Sequence, residues 1–106
     1  MSSIETIMTN KEIARTFQYL GNIMELHGEN PYKIRSYQNA YIKLRKQPNP
    51  LAEMELAEIE GLKGIGKAIS SKIQELVETG SMETLKKYEE MTPDGIREML
   101  QIKGFG

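Results

Sequence analysis

The stretch Ile59-Glu60-Gly61-Leu62-Lys63-Gly64-Ile65-Gly66-Lys67-Ala68-Ile69 restricts the fold more than any other part of this 106-residue chain. Two glycines bracket one isoleucine between two segments of apolar periodicity. Neither glycine has a Cβ, so the pair admits a tight turn and a close approach by another backbone. Beyond the turn, Ile65, Ile69, Ile73 and Leu76 recur at near-helical spacing. They predict a helix running to about Thr79, with Gly80 as its stop. The start of a helix leaves backbone N–H groups unpartnered at the positive end of the dipole, a ready seat for a phosphate. The pattern predicts a turn that grips a nucleic-acid backbone; an ordinary tight helix–helix connection is the plainer alternative.

The rest of the punctuation is also helical. Thr9-Asn10-Lys11-Glu12 has the form of a capping box, and Ile13, Phe17, Leu20, Ile23 and Met24 follow at helical spacing until Gly28. Asn30-Pro31 opens a second helix, a cap followed by proline at the first position. Its expected buried stripe is Ile34, Tyr37, Tyr41 and Leu44, and Pro48 and Pro50 end it. Leu51 to Ile59 reads as one short helix leading into the glycine turn. Ser81 to about Glu90 reads as another, with Leu85 and Tyr88 inward. Thr92-Pro93 starts a last one carrying Ile96, Met99 and Leu100. No segment sustains period-two alternation, so no strand is predicted. The expected fold is all-α, a compact bundle of short helices behind a flexible tail over residues 1–8.

The chain closes on Ile102-Lys103-Gly104-Phe105-Gly106, a second copy of Leu62-Lys63-Gly64-Ile65-Gly66. This copy stops where its next helix is due, so a longer parent chain is expected. The division that follows is a helical domain over 9–91 and the first helix and turn of a truncated second unit over 92–106.

Composition narrows the chemistry. There is no cysteine and one histidine, His27, which excludes disulfides, thiolate metal sites and histidine-built clusters. His27 reads as a cap or a dipole partner near a helix C-terminus. No apolar run is long enough to span a membrane, and the N-terminus lacks a basic-then-apolar signal pattern. A cytoplasmic protein without membrane contact is expected, and a monomer, since no long apolar seam is left over. Net charge is −1, yet the charges are segregated. Residues 30–52 hold Lys33, Arg35, Lys43, Arg45 and Lys46 and no acid; residues 61–74 hold Lys63, Lys67 and Lys72 and no acid. That arrangement permits a positive face on a near-neutral protein; charges scattered over solvated helices are the alternative.

Ile59, Leu62, Gly64-Ile65-Gly66 and Ile69 together follow the helix-hairpin-helix pattern, which holds DNA through phosphates rather than bases. With it, Gly28-Glu29-Asn30-Pro31-Tyr32-Lys33-Ile34-Arg35-Ser36-Tyr37 and Leu62 to Gly80 make residues 10–106 resemble the N-terminal domain of bacterial family X DNA polymerases. The resemblance implies non-sequence-specific binding of DNA backbone and of the 5′-phosphate of gapped DNA. It also implies a parent DNA repair polymerase, a nucleotidyltransferase, whose Mg²⁺-binding palm and C-terminal phosphoesterase domain are not in these residues.

The resemblance assigns roles residue by residue. Lys72 matches the Schiff-base lysine of the family's deoxyribose-phosphate lyase, and a solvated surface lysine, or one paired with Glu75, is the rival reading. Lys33 and Tyr37, at i and i+4, match positions that contact the 5′-phosphate; for Tyr37 a core role is the alternative. Arg35 adds phosphate attraction. Lys63, Gly64, Gly66 and Lys67 in the first turn, and Lys103, Gly104 and Gly106 in the second, are the backbone-binding candidates. The carbonyls of Glu60, Leu62 and Ile65, and in the second copy those of Leu100, Ile102 and Phe105, match a monovalent-cation site for K⁺ or Na⁺. Ala68, Thr84 and Tyr32 depart from the family: animal members carry lysine, lysine and histidine at the matching places, so the lyase pocket here has fewer cations. A helix-hairpin-helix scaffold that docks a protein partner is the competing, non-enzymatic function.

Overall fold

In the computed structural model, which describes the backbone of residues 8–103 and the side chains of residues 8–100, six α-helices follow one another without a strand. They are α1 (Asn10–Leu26), α2 (Pro31–Arg45), α3 (Leu56–Glu60), α4 (Lys67–Thr79), α5 (Glu83–Glu90) and α6 (Asp94–Lys103). None is long and apolar enough to cross a membrane.

The first two helices start where their caps require. The Thr9 hydroxyl accepts the Glu12 N–H at 3.1 Å, and the Glu12 carboxylate accepts the Thr9 N–H at 2.9 Å. The Asn30 side chain accepts the Tyr32 N–H at 2.8 Å, with Pro31 at the first position. α1 then buries Ile13, Ala14, Phe17, Leu20, Ile23 and Met24 completely. α2 makes its main packing against α1. α2 passes close to Gly21: a Cβ there would lie in ordinary contact, 3.6 Å from Gln38 Cγ. Phe17 and Tyr37 stack across the seam, ring centroids 5.9 Å apart.

Two expectations need correction. The α2 stripe is Tyr37, Ala40 and Leu44, while Ile34 and Tyr41 are only half-buried. A small residue at the centre of a close helix crossing is favoured over two flanking large ones. Leu51 to Ile59 is not one helix. A 3₁₀ turn at Leu51–Glu53 gives way to extended Met54 and Glu55, and α3 starts afresh. The Glu58 carboxylate accepts the Glu55 N–H at 2.8 Å and caps that fresh start, which is the local reason for the break. Asn10 holds the preceding loop: its side-chain amide donates to the carbonyls of Gln47 (3.0 Å) and Asn49 (2.8 Å) and its oxygen accepts the Leu51 N–H (2.8 Å). On α6, Leu100 packs on the core half-buried, but Met99 is 68% exposed and Ile96 is exposed too.

α4 runs to Thr79 and ends at Gly80 with φ +78°. It buries Ile69, Ser70, Ile73 and Leu76. α5 begins after a buried Met82, where Glu75 of α4 accepts the Glu83 N–H at 2.8 Å. α5 and α6 both pack on α1.

Candidate nucleic-acid interface

The turn between α3 and α4 is built on a single apolar anchor. Ile65 is 5% exposed, between two exposed glycines. Its side chain pins the turn to the core while the flanking backbone stays in water. The Ile65 N–H closes on the Leu62 carbonyl at 3.1 Å. Gly64 takes φ +86°, a left-handed conformation that strains any residue with a Cβ. Gly66, the N-cap of α4, is extended and supplies no side-chain cap, and a Cβ on it would meet nothing within 4 Å.

Ser70 fixes this N-cap from below. It is fully buried, and both its N–H (2.9 Å) and its hydroxyl (2.8 Å) donate to the Gly66 carbonyl. The first bond of α4 is therefore formed, and the amides ahead of it are not. Among the described residues the N–H groups of Gly64, Gly66, Lys67, Ala68 and Ile69 donate to no carbonyl. They gather at an exposed helix start, where the dipole favours an anion.

The lysines around this turn are uncommitted. Among the described residues the one ion pair is Arg97 with Asp94 on α6. Lys63 and Lys67 are exposed at the turn itself. Lys72, on α4, is half-buried. It lies five positions beyond Lys67, so the two leave different sides of the helix. Its expected rival partner, Glu75, is turned to the α5 N-terminus instead.

On α2 the expected candidates separate. Lys33 is exposed near the helix start and lies close enough to Glu29 to help lower that carboxyl's pKa, after the larger effects of the Tyr88 hydroxyl and the Asn30 N–H. Tyr37 is 3% exposed and belongs to the core, and burial pushes its hydroxyl above the ordinary range. Arg35 is exposed on the side of α2 away from Tyr37, Ala40 and Leu44. The α2 cation found against the turn is Lys43. Its Cε lies 3.0 Å, and its Cδ and Cγ 3.7 Å, from where a Cβ on Gly64 would be.

Neither Lys43 nor Ser70 was singled out as a site residue from the sequence. Ser70 carried a signal, a small hydroxyl four residues after the N-cap glycine. Lys43 carried only its membership of an acid-free window. His27 is also more than a helix-end cation: its Nε2 lies 2.7 Å from the Thr92 hydroxyl and its ring packs on Tyr88. Gly104 and Gly106 lie outside the described residues, as do the Phe105 carbonyl and the side chain of Lys103.

As for a cation site, the carbonyls of Glu60 and Ile65 accept no backbone hydrogen bond among the described residues, and that of Leu62 accepts one. Each keeps a free lone pair. No group of three or more His, Cys, Asp or Glu side chains converges among the described residues. Neutral carbonyl oxygens are the donor type that suits a weakly hydrated monovalent ion.

Comparison with known proteins agrees with this geometry. The sequence model of the helix-hairpin-helix domain matches residues 8–82. Over 99 residues the chain is 32% identical to the DNA polymerase/3′-5′ exonuclease PolX of Bacillus subtilis (strain 168). That match covers 93% of this chain and 17% of the relative, in its N-terminal part. With an exposed glycine hairpin pinned by Ile65 and opening a helix, the chain belongs to the helix-hairpin-helix domain family and is similar to the N-terminal part of a family X polymerase.

Proposed function

We propose that this chain binds DNA through its phosphates, without reading bases, as the N-terminal domain of a family X repair polymerase. The observation that carries the proposal is the set of amides of Gly64, Gly66, Lys67, Ala68 and Ile69 that donate to no carbonyl at the start of α4, with exposed Lys63 and Lys67 beside them. Amide donors and lysines recognise phosphate oxygens and carry no sequence information. Each neutralised phosphate releases counterions, so affinity falls steeply with salt. The test is the Kd for duplexes of unrelated sequence between about 50 and 200 mM salt. A negative log–log slope shared by all sequences supports the proposal. A flat response, with binding to a protein partner instead, favours the scaffold reading.

At finer resolution, a gapped duplex with a 5′-phosphate is the preferred substrate, with Lys33 as its phosphate contact. A monovalent cation on the carbonyls of Glu60, Leu62 and Ile65 would supply a positive charge between turn and phosphate. Lys72 is the nucleophile for a deoxyribose-phosphate lyase step. Its neutral amine attacks C1′ of the ring-opened sugar, water leaves as the imine forms, and loss of the C2′ proton expels the 3′-phosphate. Half-burial favours the role, since a long lysine side chain can bury its methylenes while its amine stays accessible. Borohydride trapping on DNA bearing a 5′-deoxyribose phosphate tests it. A covalent adduct lost in Lys72→Ala supports catalysis; no adduct leaves a binding domain.

A further inference from the structure

We propose that Lys43 of α2 is a phosphate ligand of the α3–α4 hairpin, so that the DNA-binding surface is completed by a helix outside the hairpin motif. This rests on the reading that the hairpin binds DNA.

Three consecutive side-chain carbons of Lys43, from Cγ to Cε, lie within 3.7 Å of the Cβ position of Gly64. The stem therefore runs along the turn rather than touching it with its tip. A Cβ on Gly64 would press on that path at Cε, and the left-handed φ of +86° independently favours glycine there. A packed stem restricts the rotamers of a side chain that is otherwise among the most mobile. The ammonium, one bond beyond Cε, is thereby held at the rim of the hairpin.

That charge has no other use in the fold. Lys43 is exposed and makes no ion pair among the described residues. It comes from the acid-free window 30–52 and abuts the acid-free window 61–74, so two segments far apart in sequence contribute to one positive rim. The stem covers the Gly64 side of the turn with methylenes, while the Gly66 side stays open. A phosphate on the amides of Gly66 to Ile69 thus meets an apolar wall ending in a cation. An ammonium on a shortened tether with little entropy left to lose is a better anion ligand than a free surface lysine.

The experiment compares wild type with Lys43→Met, Lys43→Arg and Lys87→Met, by fluorescence anisotropy on one duplex across a salt series. Methionine keeps an unbranched stem over Gly64 and removes the charge. Lys87, on α5 and outside both windows, is the control. For Lys43→Met the expected result is a several-fold weaker Kd and a salt slope smaller in magnitude by about 1, with Lys43→Arg close to wild type and Lys87→Met unchanged. Thermal unfolding of each variant establishes that the fold is kept. If Lys43→Met binds like wild type, or weakens with an unchanged slope, Lys43 is only a stem packed on a glycine and the proposal is overturned. If wild type itself has no salt-dependent affinity, the DNA-binding reading fails at its base, which is a different result.

Discussion

The α3–α4 hairpin and the junction of α1 with α5 and α6 treat polar groups in opposite ways. At the junction most of them satisfy one another, with Gln18 Oε1 and Arg97 Nε the buried exceptions among the described residues. The Thr92 hydroxyl donates to the Tyr88 carbonyl at 2.6 Å, which leaves His27 Nε2–H as the donor to Thr92. The Tyr88 hydroxyl donates to Glu29, and the Tyr19 hydroxyl to Glu89 at 3.0 Å. At the hairpin, amides and lysines are left facing water. A partly buried polar group without a partner is costly, which favours the pairing of Tyr88, Thr92, His27 and Tyr19 at the junction. An exposed one costs little while solvated and is available to a ligand. The contrast separates polar chemistry that holds the fold from polar chemistry reserved for something outside it.

The separation breaks if stability and DNA affinity do not divide along the same line. The largest effect is expected where they coincide, at Ile65. Ile65→Ala should lower unfolding free energy by about 2–4 kcal/mol in urea titration and weaken DNA binding as well, because the anchor sets the turn. Tyr88→Phe should lower stability by about 1–2 kcal/mol, since Glu29 loses a donor, while leaving Kd for DNA unchanged. A loss of affinity in Tyr88→Phe would mean that the two regions are coupled.

Alkaline unfolding sharpens the same point. Burial first, then the Glu29 carboxylate, pushes the Tyr88 hydroxyl from 10.0 up to about 12. The raised value means that the folded chain favours the neutral phenol. That stabilisation is complete below pH 10.0 and is lost as pH rises through about 12. Chemical denaturation across this window should lose stability in wild type and change less in Tyr88→Phe. The smallest stability effect belongs to the hairpin surface. Lys67→Ala should stay within about 0.5 kcal/mol of wild type in unfolding. Its DNA salt slope should nonetheless drop by about 0.9.

Signals local in sequence were legible. The Thr9 box, the Asn30-Pro31 cap, the Gly80 stop and the Ile65–Leu76 stripe of α4 all form as their spacing requires. The break at Met54 and Glu55 was hidden because Glu55 as an N-cap looks, in a one-dimensional pattern, like any helix-compatible residue. Ala40 replaced its larger neighbours in the α2 stripe because burial there depends on how α1 packs against α2, which no pattern within α2 encodes. At the site, the glycine turn was legible and its surroundings were not. The Lys43–Gly64 contact joins residues twenty-one apart by number, and no periodicity encodes it. Tyr37 lay in an apolar stripe and also matched a phosphate-contact position; its burial against Phe17 favours the stripe.

Phosphate seating at the hairpin is tested most directly by following backbone amide resonances while a short duplex DNA is added at low salt. The amides of Gly64, Gly66, Lys67 and Ala68 should shift in proportion to bound DNA, and those of Tyr88 and Thr92 should stay where they are. Shifts centred on α5 and α6, or none at the hairpin under conditions where the DNA is bound, would contradict the claim that these glycine-flanked amides hold the strand.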